Sequence, residues 1–283
     1  MRVVIIAPGS RGDVQPYIAL GRGLKNAGNI VRFVTHQNSE ALVTSHGLEF
    51  WPVEGDIQDI VQNKEMRERI EKGNFLFLMA QMAKQAQSGA LRLAEAGLSA
   101  SQGMDVVLAG MGGVYIGLAL AERLALPFLQ AYLVPFTPTQ DFPSVLVSNL
   151  PAWLGGSLNR LSHNLARQIM WQGFRSADRL ARRKALAIPA APFWGPYNSD
   201  CTRRLPILYG YSPSVIPAPP DWDDDIQVTG YWFLDSTDDW TPPTALADFL
   251  KAGSPPVYIG FGSMSNRKPE ETTALIIKAL GGR

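Results

Sequence analysis

Residues 2–28 read "RVVIIAPGSRGDVQPYIALGRGLKNAG". Six residues from Arg2 to Ala7, rich in β-branched side chains, form an apolar run without alternation, as in a strand buried on both faces. A turn of small and polar residues follows. Apolar positions at Tyr17, Leu20 and Leu24 then recur at helical spacing until Gly28 closes the pattern. Strand, turn and helix in this order are the first unit of a β-α-β repeat. The repeat continues with "IVRFVT" at 30–35 as a strand, "SEALVTSHG" at 39–47 as a short helix and "LEFWPV" at 48–53 as a strand. Residues 57–98 read as mostly helical around the apolar stretch "FLFLMAQM". "DVVLAG" at 105–110 and "LPFLQAY" at 126–132 are two further strands with a helix between them. The fold class is therefore α/β, a Rossmann-like parallel sheet with helices on both faces, and its ligands belong at the carboxyl ends of the strands.

The whole-chain quantities agree with a globular protein. The chain has 283 residues, 46% hydrophobic, and its 26 basic and 25 acidic residues leave a formal charge of +1. This balance gives no electrostatic footprint for nucleic acid. A single cysteine, Cys201, excludes an intramolecular disulfide and a multi-cysteine zinc site. No basic lead or cleavage site precedes the first strand, so no secretory leader is expected, and cytoplasmic localisation is the simplest reading. The most apolar stretch, 105–128, is broken by Gly110, Gly112, Gly113, Glu122 and Arg123 and reads as strand, turn, helix and strand rather than a membrane span.

The character changes after Tyr132. "LVPFTPTQDFPSVLVSNLPAWLGG" suits a long ordered loop at a strand end, and 157–186 is a long amphipathic helix fit to wall a pocket. Proline and acidic residues concentrate from 205 to 243, the composition of a semi-rigid linker. A helix, "TALADFLKAG", a strand, "PVYIGFGSM", and the start of another helix at Pro269 come last.

The turn at 7–16 is not a dinucleotide fingerprint. Gly9 and Gly12 are three apart, Gly21 and Gly23 fall inside the helix, and the second strand ends in Thr35 and His36 rather than a carboxylate. No Gly-Lys-Ser/Thr follows, so it is not a Walker loop either. The local reading is that Asp13 caps the helix and Pro16 fits its first turn.

Three segments, "GSRGDVQPYIALGRGLKNAG", "VTGYWFL" and "PPVYIGFGSM", resemble the sterol 3-β-glucosyltransferases and the natural-product glycosyltransferases of the vancomycin pathway type, in the same order and across nearly the whole chain. The resemblance implies a GT-B fold, in which a first Rossmann-like domain binds the acceptor and a second binds the sugar nucleotide. It divides the chain into an acceptor domain at 1–212, a linker at 213–245 and the start of a donor domain at 246–283. It implies Asp13 as general base and Ser10, Arg11, Gly12, Gly262, Ser263 and Met264 as donor contacts. It implies an acceptor wall from Phe75, Leu78, Met79, Met82, Pro135, Phe136 and Phe142. Phe75 to Met82 read equally well as core packing on their own.

The implied chemistry is inverting transfer of a hexose, glucose by resemblance, from a UDP-sugar to a hydroxyl of a hydrophobic acceptor such as a sterol. A helix N-terminus favours a negative charge, and a donor-domain helix can assist the leaving diphosphate without a metal. No cofactor and no metal are expected, only the co-substrate UDP-sugar. The partners are thus the acceptor and the nucleotide sugar, with peripheral membrane contact and self-association through the incomplete second domain as further expectations. The glycine- and histidine-rich segment with which the family grips the diphosphate has no counterpart here, so the chain by itself is expected to be inactive. A lipophilic-ligand binding module without turnover is the alternative reading. An oxidoreductase is disfavoured by the missing glycine spacing. "DWDDD" at 221–225 reads as a solvated acidic loop rather than a metal site, and His36 is the one histidine placed to reach the cleft.

Overall fold

The computed structural model describes residues 1–54, 75–147, 155–197, 205–235, 241–260 and 269–281, with backbone alone for 75–85 and 147. It divides into two units, the first comprising Met1–Ile60 with Leu76–Leu234 and the second Val61–Phe75 with Asp235–Arg283.

The first unit is built on a seven-stranded, wholly parallel sheet: β1 (Arg2–Ile6), β2 (Ile30–His36), β3 (Glu49–Val53), β4 (Val106–Ala109), β5 (Phe128–Tyr132), β6 (Ile207–Tyr209) and β7 (Ile226–Val228), in the order β3-β2-β1-β4-β5-β6-β7. The expected α/β fold is present. Because successive side chains of a strand point to opposite faces, Val4 and Ile6 pack on one side of the sheet and Val3 and Ile5 on the other. Helices α1 (Arg11–Asn26) and α2 (Glu40–Ser45) cover the Val3/Ile5 face. Helices α3 (Phe75–Ala100), α4 (Val114–Leu124) and α5 (Gly156–Ala181) cover the Val4/Ile6 face.

Helix α4 explains the most apolar stretch of the sequence. All of Val114–Ala121 is buried, since α4 lies between the sheet and α5. Gly117 lets it approach the sheet: a Cβ there would stand 2.9 Å from the Ala109 Cβ and 3.0 Å from the Phe128 ring. Among the described residues no helix is long and apolar enough to cross a membrane. The amphipathic stretch 157–186 is α5 with a π-helical turn at Arg182–Leu186.

One reading changes and another is refined. Ile226–Val228, inside the segment read as a linker, extends the sheet as β7, and the chain stays attached beyond it, with Thr229 N–H donating to Tyr209 O and Trp232 packing edge-on against Tyr17 at 5.7 Å. Its proline-rich flanks hide a strand of three residues, too short for a periodic signal. Within the acidic loop, Asp223, Asp224 and Asp225 are exposed as expected, while the partly exposed Asp221 is also an anchor, accepting from Thr139 Oγ1 at 2.5 Å and Gln140 N–H at 2.9 Å. Tyr209 fastens the same loop, its Oη accepting from the Phe136 and Thr137 N–H groups and donating to Thr137 Oγ1.

The described part of the second unit contains α6 (Thr244–Lys251) and α7 (Pro269–Ala279). The strand expected at "PVYIGFGSM" does not form over 257–260, where Val257 and Tyr258 are exposed and no described strand pairs with them. A single extended segment has no ladder to join without such a neighbour.

Candidate functional site

The sheet has one topological switch point. From β1 the chain winds outward to β2 over the Val3/Ile5 face, and from β4 it winds the other way to β5 over the opposite face. The turns leaving β1 and β4 therefore part at their carboxyl ends, which is where ligands bind in this architecture. Glycine permits the close approach: a Cβ on Gly112 would lie 2.4 Å from Pro8 O, and one on Gly113 2.4 Å from Ile6 O.

A cleft of about 480 Å³ opens at this place. Its mouth is the turn Pro8, Gly9, Ser10 and Asp13, together with His36 at the end of β2 and Glu54 after β3. Its walls are α3 through Ala86–Leu93, α4 through Tyr115 and Ile116, and α5 through Met170, Phe174, Ala177 and Asp178. The volume is within the range of small-molecule sites, and the lining is mainly apolar with a few polar groups.

At the mouth, Ser10 and not Asp13 is the N-cap of α1, and Asp13 is the third helical residue. Asp13 Oδ2 accepts from Ser10 N–H at 2.9 Å and from Ser10 Oγ–H at 2.8 Å, the acidic half of a capping box. Oδ1 has no partner among the described residues. Gly9, at φ +155, has no room for a side chain, because a Cβ would lie 2.5 Å from the Asp13 Cβ. Pro16 lies in the second turn of α1, beyond the position expected, so the carbonyl of Gly12 has no intrahelical donor.

The walls are braced from behind. Tyr115 Oη donates to Tyr197 Oη at 2.8 Å, which donates to Arg167 O at 2.8 Å. The Arg167 guanidinium lies over the Tyr197 ring at 4.0 Å. Burial raises the Tyr115 hydroxyl well above its usual value, so it stays a neutral phenol on Tyr197. At the inner end, Arg182 bridges Asp178 at 2.9 Å and Glu122 at 2.5 Å. Burial pushes the Asp178 carboxyl up, and Arg182 opposes that shift.

The residues singled out from sequence separate into groups. Ser10, Asp13 and His36 line the cleft. Arg11 and Gly12 line a second hollow, of about 320 Å³, with Gln15, Leu133, Gly210 and the aromatic run Tyr231, Trp232, Phe233. Pro135, Phe136 and Phe142 are not among the cleft-lining residues. Phe136 packs on Tyr132 at 5.2 Å and on Tyr197 at 6.3 Å, one layer behind Tyr115, and Phe142 packs on His163 at 5.8 Å. The loop carrying them is tied to β6 and Asp221, which holds it off the cleft. Phe75, Leu78, Met79 and Met82 lie on α3, with side chains outside the described ones, and Gly262, Ser263 and Met264 fall outside the described residues. Sequence reading missed Tyr115, Met170, Phe174 and Asp178. The i, i+4, i+8 spacing of Met170, Phe174 and Asp178 is the signal that could have grouped the last three on one helix face. No group of three or more His, Cys, Asp or Glu suited to a metal occurs among the described residues.

A doubly wound parallel sheet with a deep apolar cleft at its switch point defines a Rossmann-like ligand-binding domain. Residues 3–143 match the glycosyltransferase family 28 N-terminal domain, and this chain carries that domain. The sterol 3-beta-glucosyltransferase of Aspergillus fumigatus is 34% identical over 289 residues, covering 99% of this chain and 20% of that protein. The corresponding enzyme of Neurospora crassa is 36% identical over 290 residues, covering 99% of this chain and 18% of that one. The chain thus spans about a fifth of the length of these curated relatives. Among solved structures, a glycosyltransferase of kitacinnamycin superposes with a TM-score of 0.54 at 17% identity, covering 99% of this chain and 63% of its own. CalG4, the calicheamicin glycosyltransferase, gives 0.50 at 15%, covering 86% and 54%. At these identities the likeness is one of fold.

Proposed function

We propose that this chain is the acceptor-binding part of an inverting glycosyltransferase that moves glucose from a UDP-sugar to the hydroxyl of a sterol-like alcohol, with Asp13 as general base. The observation that carries the reading is the placement of a carboxylate oxygen without a partner among the described residues, Asp13 Oδ1, at the mouth of a cleft with mainly apolar walls. An acceptor seated with its apolar body between α3 and α5 presents its hydroxyl to that oxygen. The acceptor O–H proton passes to Asp13 as the oxygen bonds to the anomeric carbon, and the bond from that carbon to the UDP oxygen breaks with its electron pair leaving on the diphosphate. Attack opposite the leaving group inverts the centre. Arg11 and Gly12, on the far side of the same turn, are assigned to the donor.

The reading includes membrane contact to collect the acceptor, supported by exposed Val145, Leu146, Leu161, Leu165 and Trp194. It includes self-association through the exposed 257–260 segment and a cytoplasmic location. It also includes inactivity of the 283 residues by themselves, checked by UDP release from UDP-glucose in the presence of a sterol.

Gly89 supplies the test. It lines the cleft, and a Cβ there meets nothing within 4 Å, so a large side chain would enter open space. The native chain is expected to bind cholesterol saturably in a calorimetric titration, and Gly89→Phe to abolish binding with the melting temperature nearly unchanged. Undiminished cholesterol binding by a folded Gly89→Phe chain would overturn the assignment of this cleft.

A further inference from the structure

The inner end of the cleft holds a group that the transfer chemistry leaves unused. Asp178 lines the cleft beside Met170, Phe174 and Ala177, yet it is only 1% exposed. Its Oδ1 accepts from Arg182 Nε, and no hydrogen bond reaches Oδ2 among the described residues. Arg182, 3% exposed, also donates through Nη1 to Glu122, while its Nη2 is buried without a partner. The Asp178–Arg182 pair thus keeps spare hydrogen-bonding capacity on both sides, Asp178 Oδ2 as acceptor and Arg182 Nη2 as donor. Buried charges persist where they are paired, and a partly satisfied polar network is a poorer lining for a purely apolar ligand than an aliphatic side chain would be.

The site is remote from Asp13. Tyr115, in the first turn of α4, packs on Phe174 at 5.5 Å, and Asp178 is one further turn along α5, about 6 Å at 1.5 Å per residue. Glu122 is eight residues beyond Val114, about 12 Å down α4 from the strand ends. The cleft therefore has Asp13 and Glu54 at its mouth and a further carboxylate, Asp178, at depth, with mainly apolar walls that also carry Ser88 and Arg92.

We infer that Asp178, held by Arg182, accepts a hydrogen bond from a second donor at the far end of the acceptor, so that the cleft favours rigid lipophilic diols over mono-alcohols of the same size. This rests on the cleft being the acceptor site. The far hydroxyl donates to Asp178 Oδ2, which fixes the depth at which the body sits and so the position of the reacting hydroxyl at Asp13.

The probes are two steroids that differ at one end, 5-androstene-3β,17β-diol and 5-androsten-3β-ol, titrated against the full chain. A hydrogen bond to a charged acceptor implies that the diol binds about tenfold or more tightly than the mono-ol. In Asp178→Leu, where Arg182 keeps Glu122, the ratio is expected to fall to about one. Should that variant fail to fold, Asp178→Leu with Arg182→Met removes the stranded charge and gives the same readout. A merely structural role for Asp178 would weaken both steroids alike, and that result overturns the inference. Equal affinities in the native chain overturn it too while leaving the acceptor cleft standing. Failure of both steroids to bind the native chain overturns the acceptor reading and this inference with it.

Discussion

Replacing Asp13 by Asn separates the structural duty of this residue from the catalytic one proposed for it. As a structural group, Asp13 Oδ2 accepts the backbone N–H and the hydroxyl of Ser10 at 2.9 and 2.8 Å. The asparagine amide oxygen can hold both bonds, so the folding cost reduces to losing a negative charge in the first helical turn, about 0.3–1 kcal/mol. Ser10→Ala, which removes the cap hydroxyl but not the carboxylate, costs about 0.5–2 kcal/mol. Both lower the melting temperature by only a few degrees in a unit of this size, at about 2–4 °C per kcal/mol. Catalysis separates them. An amide cannot take the acceptor proton, so Asp13→Asn is expected to lose about 10²–10⁴ in transfer rate, whereas Ser10→Ala stays within about tenfold of native. In barrier terms the loss is about 3–5 kcal/mol, several times the stability change. The assay is UDP release with a sterol acceptor, in the Aspergillus fumigatus sterol 3-beta-glucosyltransferase with this chain in place of its matching region, beside thermal melts of each variant. An Asn variant that turns over at near-native rate, or a Ser10→Ala variant as dead as Asp13→Asn, would refute the assignment of Asp13 as base.

Three other outcomes follow from packing and burial. His163 is 2% exposed with Nε2 on Phe142 O at 3.0 Å, and burial holds its imidazole below the usual 6.5. Its folded value lies below its unfolded one, so the unfolded chain binds the proton first and stability is lost as pH falls below about 6.5; urea melts at pH 7 and pH 5 should show a drop that shrinks in His163→Gln. Gly110→Ala places a Cβ 1.5 Å from Tyr17 Oη, which donates to Ala131 O at 2.6 Å, so overpacking and a broken buried hydrogen bond should cost about 2–5 kcal/mol by denaturant titration. Tyr209→Phe strands the N–H groups of Phe136 and Thr137 and should cost about 2–4 kcal/mol, with faster proteolysis after Pro135; an unchanged midpoint would mean that the loop is held by other contacts.

The sheet was legible because its inner strands carry their burial in the sequence. Val3–Ile6 and Val106–Ala109 are apolar at every position since helices cover both faces. The short strand β7 was not legible, because three residues cannot show a period and the flanking prolines read as linker. The mouth of the cleft was legible through one turn, since strand ends and helix starts coincide there. Its walls were not: Tyr115, Phe174 and Asp178 come from helices α4 and α5, and only tertiary packing brings those faces together. Phe136 and Phe142 show the converse. An aromatic loop at a strand end resembles a pocket wall, and what removes it from the cleft is a pair of long-range anchors, Tyr209 and Asp221, more than 70 residues away in sequence.

The Ser10–Asp13 turn explains how the two hollows relate. Helix α1 begins where β1 ends, so its first residues stand between the cleft and the smaller hollow beside Trp232. Residues on the third-residue side, Ser10 and Asp13, face the apolar cleft, and the intervening Arg11 and Gly12 face the other way. The capping box fixes Asp13 through two bonds to Ser10 in a turn where Gly9 leaves no spare volume, so any ligand group on one side is registered against any group on the other through rigid backbone. Proximity gains depend on that kind of registration, because reacting atoms must be held within a fraction of an ångström. A carboxylate on a flexible loop would have offered the same proton chemistry without it. The helix start therefore serves the transfer reading in a way that its glycine spacing alone does not disclose: the cap is what would aim the proposed base.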